Sequence, residues 1–210
     1  METDRMRSYA ELPPKRLGGA LCLDYVNTVE WRGDADDPQD RLTSYAELPR
    51  WAAAVGTITD AEARRVEREA RNRPGAAAAV LRDAVALREA LARLLTRTEF
   101  RQVEDLALVN ATLARAPART QIVEEEAGFV WRHGRGGDAM EQPLWPVLWD
   151  AADLLTSDRL DRVRRCGDKR CGWLFLDLSR NHSRRWCAME TCGNRAKARR
   201  HYARHKTDED

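Results

Sequence analysis

Cysteine spacing constrains this chain more than any other feature. Four of its five cysteines lie between Cys166 and Cys192, in two C-x4-C pairs. Cys166 and Cys171 form the first pair, and Cys187 and Cys192 form the second, with fifteen residues between the pairs. Two short loops that each present two thiolates can supply the four tetrahedral ligands that zinc prefers. The spacing therefore predicts a closed, structural site for one Zn²⁺ and not a catalytic one, because four protein ligands leave no position for water.

The alternatives to zinc are disulfides and four unligated buried thiols. In a reducing compartment a cysteine cluster favours metal binding over disulfides.

No stretch approaches the roughly 18 apolar residues of a membrane span, and the first residues, METDRMRSYAELPPKR, contain no apolar signal core. We therefore expect a cytoplasmic protein. The fifth cysteine, Cys22, lies in the apolar run LCLDYV and is predicted to be plain core.

Charge is distributed unevenly along the chain. Residues 161–206 contain 14 Lys and Arg against 4 Asp and Glu, a net charge of +10. The last three residues carry −3, which leaves −5 for residues 1–160 out of the total of +2. An acidic body with a basic end indicates a polyanionic partner, and nucleic acid first.

The fold class predicted for the chain is mainly α with a small β-hairpin. One-turn spacing of Leu21, Tyr25 and Thr28 or Val29 predicts a buried first helix, and residues 33–40 a polar loop. The segments QIV (121–123) and FVW (129–131) around EEEAG predict the only hairpin of the body. Further helices are predicted over residues 45–55, with a break before Pro49 and a stop at Gly56, and over 60–72, 76–98, 103–113 and 144–155.

The C-terminal segment is predicted to be a zinc-ribbon-like module that ends in a basic helix. The run WLFLDL, between the cysteine pairs, has the character of a hairpin strand. After Cys192 the sequence GNRAKARRHYARHK is basic nearly all round when it is drawn as a helix. Alternatively, this segment is a solvated surface helix whose positive charge balances the negative charge of the acidic body. The candidate phosphate or base contacts are Arg184, Arg185, Arg195, Lys197, Arg199, Arg200 and Arg204.

A polar set interrupts the apolar first helix. Asp24, Asn27, Thr28 and Trp31 lie at one-turn spacing in LDYVNTVEW. Polar groups on a core-facing helix need partners, so they either bond to neighbouring backbone or line a small-molecule pocket. An enzyme is not expected, because the chain lacks a phosphate-binding glycine loop, a G-x-S-x-G elbow and an H-E-x-x-H helix.

The segment CGWLFLDLSRNHSRRWCAMETCGNRAKARRHYARHK resembles the CGNR zinc finger, a motif present here as residues 192–195. The N-terminal run LCLDYVNTVEWRG, followed by a helical body, resembles the ABATE domain that accompanies this finger in a bacterial family described as stress-induced transcription regulators. The resemblance implies a helical ABATE-like domain over 1–158, a zinc finger over 159–206 and an acidic tail over 207–210. It also implies four-cysteine zinc binding, DNA binding and a regulatory role for the body.

The leading hypothesis is a zinc-dependent, DNA-binding transcription regulator whose N-terminal domain senses a small molecule or stress signal. Its partner would be double-stranded DNA, and a single small DNA-binding module favours a homodimer. The alternative is a zinc-stabilised interaction module that binds RNA or an acidic protein.

Overall fold

A computed structural model describes residues 7–34, 36–96, 102–125, 128–133 and 137–207. As predicted, the described chain is mainly α-helical with small two-stranded antiparallel sheets. None of the described helices is long and apolar enough to cross a membrane. The helices are α1 (Leu21–Val26), α2 (Glu47–Ala54), α3 (Asp60–Asn72), α4 (Pro74–Thr96), α5 (Val103–Arg115), α6 (Trp145–Leu155) and α7 (Asn194–Thr207). The strands are β1 (Val29–Glu30), β2 (Gln39–Asp40), β3 (Arg119–Glu125), β4 (Gly128–His133), β5 (Val163–Arg165) and β6 (Leu174–Leu176).

Helix α3 has the predicted bounds because its first turn closes a capping box. The Thr59 hydroxyl accepts from the Glu62 amide at 3.2 Å, and a Glu62 carboxylate oxygen accepts from the Thr59 amide at 2.8 Å. The box satisfies two of the N–H groups that the start of a helix leaves unpaired. Pro74 follows the end of α3 and also begins α4, two residues before the predicted start at Ala76, since the first helical position needs no N–H. Thr98, the predicted end, lies outside the described residues.

The predicted break before Pro49 is wrong. Pro49 is the third residue of α2, where the amide nitrogen has no acceptor within the helix, so proline is tolerated. The apolar face of this segment is confirmed, since Leu48 and Trp51 are fully buried. Gly56 ends the segment in the left-handed conformation, at φ +80°, as predicted.

The first helix is shorter than predicted. It ends at Val26, and Val29 lies instead in β1, which pairs with β2 at the end of the predicted polar loop. Strand structure in the body is therefore not confined to one hairpin. The helix ends here because the Thr28 hydroxyl donates to the Tyr25 carbonyl, which competes with helical hydrogen bonding.

The remaining body elements follow the prediction closely. Strands β3 and β4 form the predicted hairpin, with Ile122 opposite Trp131. Helix α5 runs two residues past Leu113, and α6 begins at Trp145 with Pro146 in its first turn. Residues 126–127, within the EEEAG segment of the hairpin, and residues 134–136 after it lie outside the described range.

The core of the body is built around α1, which packs against α4 and α6. The Tyr25 ring lies 5.3 Å from that of Trp51, and the Tyr25 hydroxyl donates to the Ala84 carbonyl. Cys22 is fully buried in this core, as predicted. Arg88 is 2% exposed, and its guanidinium donates to both Asp40 oxygens at 2.7 Å, so α4 holds β2 in place.

Strand β6 of the C-terminal segment belongs to two cores at once. Leu174 and Leu176 are each 1% exposed and lie in the core of the helical body, whereas Phe175 points into the cysteine cluster. Asn27 clamps the strand to the body: its Nδ2 donates to the Leu174 carbonyl and its Oδ1 accepts from the Leu174 amide, both at 2.8 Å. The two parts of the chain therefore share one buried strand.

Asn27→Ala should lower the free energy of unfolding by about 2–4 kcal/mol, because it leaves a buried N–H and a buried C=O without partners. Urea denaturation of the zinc-loaded protein measures this change. Asn72→Ala, at the exposed end of α3, is the control and should change stability little. An Asn27→Ala protein as stable as this control would contradict the clamp.

Candidate metal centre and nucleic-acid interface

The four predicted cysteines meet in one buried cluster. Their exposed fractions are 2–6%, and all four Sγ atoms lie within 4.8 Å of one another. The Sγ atom of Cys187 is 3.7 Å from that of Cys171 and 3.6 Å from that of Cys192. Tetrahedral zinc with Zn–S bonds of about 2.3 Å needs sulfur atoms about 3.8 Å apart. The cluster therefore fits one structural zinc ion.

The first cysteine pair lies in the turn of a hairpin. Strand β5 pairs with β6, and the loop between them carries Cys166 and Cys171. The Cys166 amide donates to the Trp173 carbonyl at 2.8 Å, and Gly172 takes φ +66° to leave the loop. The predicted strand between the pairs is thus present, and its partner is β5, which precedes Cys166.

The second pair lies at the start of the basic helix. Cys187 approaches the first pair, since its amide donates to the Cys166 Sγ at 3.5 Å. Cys192 lies in a π-helical turn, Met189–Gly193, that runs directly into α7. Bound metal would therefore fix the N-terminal end of α7 against the hairpin.

Each residue of the Gly193-Asn194-Arg195 triplet has a separate structural task. A Cβ at position 193 would lie 2.3 Å from the Met189 sulfur, so a larger residue there would displace the Met189 side chain. The Asn194 side-chain amide donates to the Glu190 carbonyl at 3.0 Å. The Arg195 guanidinium donates to the Cys192 Sγ at 3.0 Å, which supports the thiolate that zinc requires.

Asp168 holds the start of α7 against the loop of the first cysteine pair, and its role was not predicted from the sequence. Its carboxylate is 1% exposed and accepts from Arg195 at 2.9 Å and from Arg199 at 3.1 Å. Burial raises the pKa of this carboxyl, but the hydrogen bonds from the two arginines outweigh burial and leave the pKa below its usual value. The available signal was a lone acidic residue between Cys166 and Cys171 in a strongly basic segment.

Trp31 joins the body to the metal centre. Its ring lies between two guanidiniums, with Arg195 4.7 Å and Arg170 5.3 Å from the ring centroid. Trp31 has φ +56°, an unusual conformation for a bulky residue, which the surrounding contacts must over-determine. Beside it the Gly33 amide donates to the Arg170 carbonyl, and a Cβ at position 33 would lie 1.9 Å from the Lys169 oxygen.

The polar set predicted as a ligand pocket is divided by the structure. Asp24, Asn27 and Thr28 are buried, bond to protein groups and line a cavity of about 10 Å³, the space of one water molecule. Trp31 lines a separate cavity of about 70 Å³ beside the cysteines. Only Asp24 lies within α1, so the expected single helical face is not formed.

The candidate nucleic-acid contacts also fall into two groups. Arg195 and Arg199 are held by Asp168, and Arg184 stacks 4.4 Å from the Phe175 centroid while it donates to the carbonyls of Trp186 and Cys187. These three arginines therefore have structural partners within the module. The exposed group, with no ion pair among the described residues, consists of Arg185, Lys197 and Arg200, and the side chain of Arg204 lies outside the description.

A helical body that shares a strand with a four-cysteine metal module defines a zinc-binding protein. The chain belongs to the ABATE family, described as "Putative stress-induced transcription regulator", whose profile matches residues 19–158. The profile of the CGNR zinc finger matches residues 162–205. Both resemblances inferred from the sequence are confirmed. A search of curated proteins finds no match.

Arg195→Met should lower zinc affinity by about 10- to 100-fold, because it removes the donors to Asp168 and to the Cys192 thiolate but keeps an unbranched apolar stem. Competition against a chromogenic zinc chelator measures the affinity. Arg200→Met, on the exposed face of the same helix, should bind zinc like the unmodified protein. Cys187→Ser, which removes a ligand, gives the lower limit of zinc affinity for the comparison. Equal zinc affinity of Arg195→Met and Arg200→Met would show that Arg195 does not support the site.

Asp24 makes stability pH-dependent. Burial raises its pKa from 3.8 to about 6, although the Gly18 amide donates to its carboxylate at 2.7 Å. The folded state therefore holds the proton more tightly than the unfolded state, and stability falls as the pH rises through about 6. Asp24→Asn removes this loss. The unfolding free energy of Asp24→Asn, minus that of the unmodified protein, should rise by about 1 kcal/mol between pH 5 and pH 7. Above pH 7 this difference should stay constant. Denaturation across that pH range, in saturating zinc, measures the difference, and a constant difference would contradict the assignment.

Proposed function

We propose that this protein is a zinc-dependent DNA-binding transcription regulator, in which the zinc module binds double-stranded DNA through the exposed face of α7. The observation that carries the proposal is the contrast between two sets of basic side chains on this module. Arg195 and Arg199 neutralise a buried aspartate. Arg185, Lys197 and Arg200 are exposed and have no ion pair within the described chain.

Unpaired basic side chains on a rigid support are suited to phosphate binding. Because Cys192 and Arg195 lie at the start of α7, zinc fixes the helix and so fixes where Lys197 and Arg200 lie. Preorganised cations lose little conformational freedom when they contact phosphates, and each contact releases counterions from the DNA. DNA affinity should therefore depend on zinc and on salt.

The helical body is the proposed sensor of a small molecule or stress signal. An open cleft of about 520 Å³ between α2, α3 and α4 supports this role, because its size suits a small ligand. Ala77 and Leu81 provide apolar contacts there, and Arg50 and Arg71 provide polar groups that are ion-paired with Glu67 at the same cleft. We propose regulation and not catalysis, in the cytoplasm, with a homodimer as the DNA-binding form.

The second candidate function is a zinc-stabilised interaction module for RNA or an acidic protein. The same exposed cations favour it, since they attract any polyanion. Sequence preference on duplex DNA distinguishes the two candidates.

Lys197→Glu/Arg200→Glu should weaken duplex DNA binding at least about tenfold and lower the salt slope by about 2, because two phosphate contacts are lost. Fluorescence anisotropy at several salt concentrations measures both quantities. Arg64→Glu/Arg68→Glu reverses two exposed charges on α3 and is the matched control for net charge.

Selection from a random duplex pool, with RNA as competitor, tests specificity. A motif that the zinc-loaded protein enriches and the Lys197→Glu/Arg200→Glu protein does not would support the regulator. No motif, with equal competition by RNA, would contradict it in favour of the second candidate.

A further inference from the structure

A cleft on the zinc module shares Arg185 with the DNA-binding surface proposed above, but its other walls have no role there. It is lined by Ser183, Arg184, Arg185, Trp186 and Met189 and has a volume of about 390 Å³. Met189 begins the π-helical turn that leads into α7, so the cleft adjoins the basic helix along the chain. No carboxylate is among its lining residues.

The aromatic wall of the cleft is held in place from behind. A Cβ at Gly167 would lie 3.0 Å from the Trp186 ring, so the ring packs closely on this glycine. The Gly167 amide donates to the Arg185 carbonyl at 2.8 Å, which ties this segment to the loop of the first cysteine pair. Trp186 is therefore half-buried against the metal centre and contributes its remaining surface to the cleft.

The other walls are apolar and cationic. Met189 is 49% exposed, and its sulfur rests against Gly193. The Arg185 guanidinium lies 5.4 Å from the centroid of the Trp186 ring and remains exposed. Arg184 is fixed by its stacking on Phe175 and by hydrogen bonds to backbone carbonyls, so its positive charge is positioned and not mobile.

This combination of walls specifies the chemistry of a ligand. An indole and a thioether favour a flat aromatic group, and two guanidiniums favour an adjacent negative charge. A nucleobase linked to its phosphate has both features, and base stacking on aromatic side chains tolerates any sequence. An acidic peptide would satisfy the arginines but would leave the Trp186 and Met189 surfaces without a stacking partner.

We propose that this cleft receives one unstacked base of a DNA strand, stacked against Trp186 and Met189, while the exposed Arg185 side chain moves from its place over the Trp186 ring to contact the neighbouring phosphate. The proposal rests on the DNA binding proposed above and makes it more specific. In a regular duplex the bases are stacked within the helix, so DNA with an unpaired base should be the preferred substrate.

The test compares three labelled DNA probes of equal length in fluorescence anisotropy with the zinc-loaded full chain. The first is a regular duplex, the second carries one unpaired base, and the third carries an abasic nucleotide at the same position. The second and third probes have the same number of phosphates, so their difference reports on the base alone. The unpaired base should improve affinity about tenfold over the abasic probe, the usual range for one stacked base.

Variants locate the effect. Met189→Ala should reduce the preference for the unpaired base, and Trp186→Phe should largely keep it, with zinc content measured to confirm that the module is folded. Arg185→Gln should weaken binding to all three probes and lower the salt slope by about 1.

Equal affinity for the base-containing and abasic probes would overturn the cleft proposal, and so would a preference that Met189→Ala leaves unchanged. In both cases salt-dependent duplex binding that Lys197→Glu/Arg200→Glu removes would leave the proposed function intact. Absence of binding to every probe would overturn both.

Discussion

Strand β6 is buried on both faces, so its backbone groups need partners inside the protein, and those partners determine how the two parts of the chain are joined. Leu174 faces the helical core and Phe175 faces the cysteine cluster. Asn27 pairs with the Leu174 backbone, and the Gly18 carbonyl accepts from the Leu176 amide at 2.7 Å. The contacts of Trp31 and Gly33 with Arg170 and Arg195 extend this junction to the metal centre.

A second constraint is the buried carboxylate of Asp168, which divides the basic residues of the module into two populations. A buried charge is tolerated only when it is paired and hydrogen-bonded, and Arg195 and Arg199 supply those bonds. Arg185, Lys197 and Arg200 form no ion pair with Asp168 and are exposed. The basic residues of the segment therefore have two different roles. Some pair with a buried carboxylate and stabilise the module, and the others form its exposed positive surface.

The features that could be predicted from the sequence depend on local patterns. Thr59 and Glu62 specify a helix start through contacts three residues apart, and the paired cysteines specify a ligand set through the geometry of zinc. The misjudged features depend on contacts distant in the chain. The Asn27 side chain bonds to the backbone of Leu174, 147 residues away, and Arg195 contacts Asp168 and Trp31 instead of facing outward. Periodicity describes one element and not its neighbours, so it predicts neither arrangement, although the lone acidic residue between Cys166 and Cys171 is a signal for the second.

The shared strand also limits how a signal could travel from body to finger. Two domains on a flexible linker can communicate by changing their relative orientation, but here a single buried strand leaves little freedom to swing. Communication would instead be a coupling between the stabilities of the two parts, so that a change that destabilises one part destabilises the other. Such coupling is reciprocal: metal binding stabilises the helical body by the same free energy by which the folded body favours metal binding. Loss of metal would then expose the body to proteolysis as well as disordering the finger, so the abundance of the protein would follow zinc supply.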